Sequence, residues 1–138
     1  PFRHVPTYLA GYYKYKAGDQ FTEGGKPVNG KRDICDIYAI MYETSESVPT
    51  LDGTNAFTSP NLISTARINN AKETNEWTYF KLPFTTLPGK FIDKEKLMDG
   101  KYNIAIVFTS SLEGDHFNGA IGSTLLIDEA ELIYHSED

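Results

Sequence analysis

A chain of 138 residues has the size of one domain and can bury a substantial core. With 40% hydrophobic and 23% charged residues it excludes global disorder, and no apolar run approaches the roughly 20 residues needed to cross a bilayer. A net charge of −6, a pI near 5.0 and no basic run longer than Lys31-Arg32 argue against a nucleic-acid partner.

The nine Tyr, eight Phe and one Trp favour strands, where aromatic side chains pack on a pleated face. In chain order, residues 8–16 alternate, with Leu9, Gly11, Tyr13 and Tyr15 on one face. Residues 19–31 are polar and glycine-rich and read as a loop. Residues 34–43 read as a central strand with apolar side chains on both faces: Cys35, Ile37, Ala39 and Met41 against Ile34, Tyr38, Ile40 and Tyr42. A second long loop spans 44–60, with Asp52-Gly53 as its turn signal. Alternation resumes over 62–69 and again over 76–84, where Phe80, Leu82 and Phe84 oppose Trp77, Tyr79 and Lys81. Residues 93–99 suit one helical turn. Residues 101–110 form a strand with Tyr102, Ile104, Ile106 and Phe108 inward, and a glycine-rich loop leads to a last, buried strand over 123–134. Six or more strands with long connections predict an all-β fold, a two-sheet antiparallel β-sandwich of jelly-roll type.

Cys35 is the only cysteine, so no internal disulfide forms, and its apolar setting predicts an inert buried thiol. The chain opens at Pro1 without an initiator Met, which predicts that residues 1–138 are a single domain of a longer protein.

Several stretches taken in order resemble one known family. They are Leu9-Ala10-Gly11-Tyr12-Tyr13-Lys14-Tyr15, Asp36-Ile37-Tyr38-Ala39-Ile40-Met41-Tyr42-Glu43 and Leu51-Asp52-Gly53-Thr54-Asn55. Ala66-Arg67-Ile68, Trp77 with Phe80 to Phe84, and Gly119-Ala120-Ile121-Gly122-Ser123-Thr124-Leu125 continue the series. Together they are similar to the putative carbohydrate metabolism domain of Bacteroides-type bacteria. That resemblance implies a jelly roll like carbohydrate-binding modules and some glycoside hydrolases. It also implies a secreted or outer-surface bacterial protein in which an upstream domain of the same chain, immunoglobulin-like, precedes this one. A fold-level name is no warrant for a reaction, and no catalytic set comes with it.

A sugar site combines an aromatic platform with planar hydrogen-bonding groups. Two faces fit that recipe. Asp36, Tyr38 and Tyr42 share one side of the central strand, where Arg67 and Asn69 join them if their strand lies in the same sheet; the competing reading makes the tyrosines core and Asp36–Arg67 a simple pair. Trp77, Tyr79 and Lys81 form the second face, unless Trp77 packs under a loop.

Asp128 falls by alternation on the apolar face of Leu126, Ala130, Leu132 and Tyr134, with Glu129 and Glu131 on the other beside Leu125 and Ile127. An inward carboxylate needs compensation, and three sources are open: a structural calcium, a bulge or an Arg partner. Apart from that calcium, no cofactor is expected. Catalysis lacks support: no Glu-x-Asp-x-x-Glu strand motif occurs, the adjacent Asp115-His116 sit in a loop, and His4, His116 and His135 show no metal-ligand spacing. The favoured reading is a non-catalytic carbohydrate-binding or glycan-handling module whose partner is a polysaccharide or glycan. A structural or adhesion module that binds protein, and a divergent glycoside hydrolase, are the alternatives.

Overall fold

A computed structural model describes residues 5–44, 60–69, 71–112 and 119–134. The elements are strands β1 (Pro6–Lys16), β2 (Phe21–Glu23), β3 (Lys26–Val28), β4 (Asp36–Glu43), β5 (Leu62–Arg67), β6 (Thr78–Pro83) and β7 (Thr85–Thr86). Helix α1 (Lys94–Met98) and strands β8 (Tyr102–Thr109), β9 (Gly119–Ala120) and β10 (Thr124–Tyr134) follow. All pairings among the described strands are antiparallel: one sheet runs β10-β1-β6, a second β7-β5-β4-β8, and a small third β3-β2-β9. Among the described residues no helix is long and apolar enough to cross a membrane.

The alternation explains the sandwich. Leu9, Tyr13 and Tyr15 of β1, Ile37 and Ala39 of β4, and Phe80 and Leu82 of β6 meet in one cluster between the two larger sheets. Removing each of these large side chains from water contributes about 1.5–3 kcal/mol, which makes this cluster the main stabilising term. Strand β4 is buried on both faces, as its composition predicts: Tyr38, Ile40 and Tyr42 form a second cluster with Leu62 on the side away from the first. Asp93 caps α1 by accepting from the Glu95 and Lys96 N–H groups. Leu97 of that helix packs with Met41, Ile63 and Tyr102.

Residues 19–31 are not a plain loop. They hold the β2–β3 hairpin, whose turn places Gly24 at φ 58° and Gly25 at φ 86°, the left-handed geometry that suits a tight hairpin and favours glycine. The turn signal at Asp52-Gly53, the pair Asp115-His116, and His4 and His135 lie outside the described residues.

Nothing in the sequence pattern marked Asp33, yet it organises the approach to β10. Its buried Oδ2 accepts from Ser111 Oγ at 2.5 Å, Ser123 Oγ at 2.6 Å and the Ala120 N–H at 3.0 Å, while Oδ1 accepts from the Ile34 N–H at 2.9 Å. The same segment lies so close to the turn after β1 that a Cβ on Gly18 would sit 2.2 Å from the Ile121 carbonyl oxygen.

Burial pushes the Cys35 thiol up to about 11, and only 2% of the residue is exposed. At pH 8 roughly one molecule in a thousand then carries a thiolate there. The peptide bearing Cys35 is therefore expected to resist iodoacetamide in the native protein and to react once urea unfolds it. Native-state labelling at the unfolded rate, read by mass spectrometry, contradicts this.

The largest departure from simple alternation is in β10. Tyr12 pairs with Asp128 and Ala10 with Glu131, so the single residue Gly11 faces both Glu129 and Ala130: a β-bulge. Glu129 takes φ 51°, and the Asp128 carboxylate accepts its N–H at 2.9 Å. The bulge changes which side chains share a face. Leu125, Ile127 and Leu132 pack on the core, whereas Leu126 is exposed and Asp128 points outward. The expected inward carboxylate does not exist, and β10 is an edge strand of mixed exposure instead of a buried one.

Candidate functional site

The outer face of the β10-β1-β6 sheet presents a grid fixed by strand register. One row runs Tyr79, Tyr12, Asp128 and the next Lys81, Ala10, Glu131. Side chains on this face alternate with the core set of the same strands, so Phe80 and Leu82 pointing inward force Tyr79 and Lys81 outward. Trp77, just before β6, is 45% exposed and Tyr79 is 51% exposed. The Tyr12 and Tyr79 rings lie 5.2 Å apart at 55°. Lys14 Nζ sits 4.9 Å from the Trp77 ring centre and Lys81 Nζ 4.3 Å from that of Tyr8, cation–π contacts that hold the ring orientations.

Beside the paired tyrosines an open recess of about 400 Å³ is lined by Gly11, Tyr12, Tyr79, Glu129, Ala130 and Glu131. Gly11 permits it. A Cβ there would meet the Phe80 ring at 2.9 Å and the Ala130 Cα at 3.1 Å, so a side chain would push the bulge away from β1. Among the described residues neither Glu129 nor Glu131 forms an ion pair. Their oxygens are free to accept hydrogen bonds from hydroxyl groups next to an aromatic surface.

The other expected set is also brought together, in a different environment. Tyr38 pairs across β4–β5 with Arg67, whose Nε and Nη2 donate to Asp36 at 3.2 and 2.7 Å. The guanidinium lies 5.6 Å from the Tyr38 ring centre. Asp36, Tyr38 and Tyr42 are buried, with the two rings only 4% and 3% exposed among Ile40, Leu62 and Val107. Rings so covered have no face to offer a ligand, so in this structure the set serves packing and ion pairing. Asn69, beyond the end of β5, is exposed.

Calcium takes six to eight oxygen ligands. Among the described residues no three acidic, His or Cys side chains gather to hold a metal, and one Asp128 oxygen already serves the Glu129 N–H. The described residues around Asp128 do not fit a structural calcium.

Sequence reading missed Tyr12, Glu129 and Glu131. One signal was available: Gly11, a glycine inside an otherwise regular strand, marks a bulge or a close backbone approach.

The family model of the putative carbohydrate metabolism domain matches residues 1–133. The chain belongs to that family. This putative carbohydrate metabolism domain is 88% identical to part of a crystal structure of a putative glycoside hydrolase from Bacteroides thetaiotaomicron, with a TM-score of 0.95 over 99% of the chain. A second structure, of a putative glycoside hydrolase from Bacteroides vulgatus, is 46% identical with a TM-score of 0.88 over 97% of the chain. The domain spans 40% and 54% of those two chains. A comparison with curated protein sequences found no match.

Proposed function

We propose that this carbohydrate-metabolism domain is a non-catalytic glycan-binding module, and that it binds a neutral polysaccharide chain on the outer face of the β10-β1-β6 sheet. The observation that carries this reading is the exposed Tyr12–Tyr79 pair beside the carboxylate-lined recess. The rings stack on the C–H face of a sugar, Glu129 and Glu131 accept from its hydroxyls, and Trp77 extends the platform along the strand direction. Lys14 and Lys81 offset the carboxylates on the same face, which suits an uncharged ligand. In this reading the module belongs to a longer secreted or outer-surface protein and holds substrate for it, which accommodates the glycoside-hydrolase names of its relatives.

Catalysis by the domain itself is the competing reading, because Glu129 and Glu131 line the recess. One set of experiments separates the two. Calorimetric titration with a panel of neutral polysaccharides is expected to give binding, weakened about tenfold in Tyr79→Ala, a loss of about 1.4 kcal/mol. Thermal melting of that exposed-site variant should stay near wild type. Absence of binding to any neutral polysaccharide, or equal affinity of Tyr79→Ala, overturns the proposal. Release of reducing ends by wild type that disappears in Glu131→Gln makes the domain an enzyme instead.

A further inference from the structure

Among the described residues the sandwich is closed on one flank and open on the other. At the closed flank the chain steps from β6 in one sheet to β7 in the other with only Phe84 between them, and Phe84, Ile68 and Leu82 pack on the core. Aligning the two strand orders from that flank leaves β10 and β8 as the edges of the opposite one.

There the core face is incompletely covered. Register sets Phe108 opposite Ile37 and Ile106 opposite Ala39, so all four point the same way. Ile37 and Ala39 are fully buried, whereas Phe108 keeps 37% and Ile106 40% of its surface in solvent. Leu125, Ile127 and Leu132 of β10 also face the core and are only half-buried. Leu112, just past β8, is 40% exposed.

Edge strands usually carry charges, proline or bulges that block unwanted pairing. Strand β10 has its bulge and acids, β6 has Lys81 and Pro83, β3 has Lys26 and Pro27, and β7 is two residues long. Strand β8, Tyr-Asn-Ile-Ala-Ile-Val-Phe-Thr, has none of these over eight residues, and among the described strands it pairs only with β4. An edge this apolar and unprotected is built to be covered.

We propose that the β8 edge and the apolar flank beneath it are the docking face for the remainder of the longer polypeptide to which this domain belongs. The lining is aliphatic and phenyl, without the planar polar groups that a sugar needs, so the fitting partner is protein. The solved relatives supply the candidate: this domain accounts for only 40% and 54% of their chains, and a tethered neighbour meets the flank at high effective concentration. This inference is independent of the glycan-binding face, which lies on the outer side of the other sheet.

The test uses the full-length protein. Phe108→Cys and Ile106→Cys are each compared with Ile121→Cys, whose side chain is 94% exposed, by thiol labelling resolved at the peptide level. The buried native Cys35 adds little background. The two flank thiols are expected to react at least tenfold more slowly than the Ile121→Cys thiol, at every protein concentration. Amide exchange of the unsubstituted protein provides the second readout, with β8 peptides protected, and it requires no variant to fold. Labelling as fast as at position 121 together with rapid β8 exchange overturns the proposal. Protection that appears only as concentration rises, with a doubled mass, also overturns it, because the occupant is then a second copy.

Discussion

Asp33→Ala is expected to lower stability by about 4 kcal/mol and the melting temperature by roughly 12 °C. The carboxylate gathers the Ser111 and Ser123 hydroxyls and the Ala120 N–H from segments remote in sequence, together with the N–H of the adjacent Ile34. A hydrogen bond to a charged group contributes about 1.5–3 kcal/mol, and a buried donor left unpaired costs about 1–3 kcal/mol. Deleting the side chain removes the shared acceptor and strands several donors at once, so this effect exceeds that of a surface substitution. Asp33→Asn should fall between, since one orientation of the amide keeps an acceptor toward Ser111, Ser123 and Ala120 and sets only its NH2 against the Ile34 N–H. Thermal and urea melts check both. A loss under about 1 kcal/mol for Asp33→Ala would show that water replaces the clamp without penalty. The consequence reaches the candidate site, because residues 119–123 deliver the chain into β10 and its bulge.

Replacing Tyr12 and Tyr79 together by Ala is expected to weaken glycan binding about a hundredfold, close to 3 kcal/mol, while leaving stability within about 0.5 kcal/mol. Both rings are exposed, Tyr12 at 36% and Tyr79 at 51%, so neither supports the core. Their centres are 5.2 Å apart, close enough that removing one ring changes how the other is held. The single losses should therefore not sum to the double loss. Titration of the two single variants and the double variant completes the cycle. An affinity in the double variant equal to wild type removes this face as the binding surface.

Much of the fold is legible as period-two alternation. Strands β1, β4, β5, β6 and β8 fall where apolar residues recur at every second position, and the short helix falls where Asp93 caps it. The β2–β3 hairpin was hidden because its strands are three residues each and too polar to show a face. The candidate site was legible only in part. Alternation set Trp77 and Tyr79 opposite Phe80 and Leu82, but it set Tyr38 and Tyr42 on one face of β4 with equal clarity. Periodicity states which side chains share a face and not what lies over that face. Tyr79 is exposed and Tyr42 is buried for reasons outside their own strands.

Composition and alternation by themselves determined an acidic, all-β sandwich with two aromatic strand faces. Only the tertiary structure decided that Asp33 ties the loops together, that β8 is a bare edge among the described strands, and that Asp128, Glu129 and Glu131 stand beside Tyr12. The reason is the same in each case. A buried acceptor, an edge and a bulge are all relations between strands. One extra residue opposite Gly11 reverses every facing that strict alternation assigns beyond it.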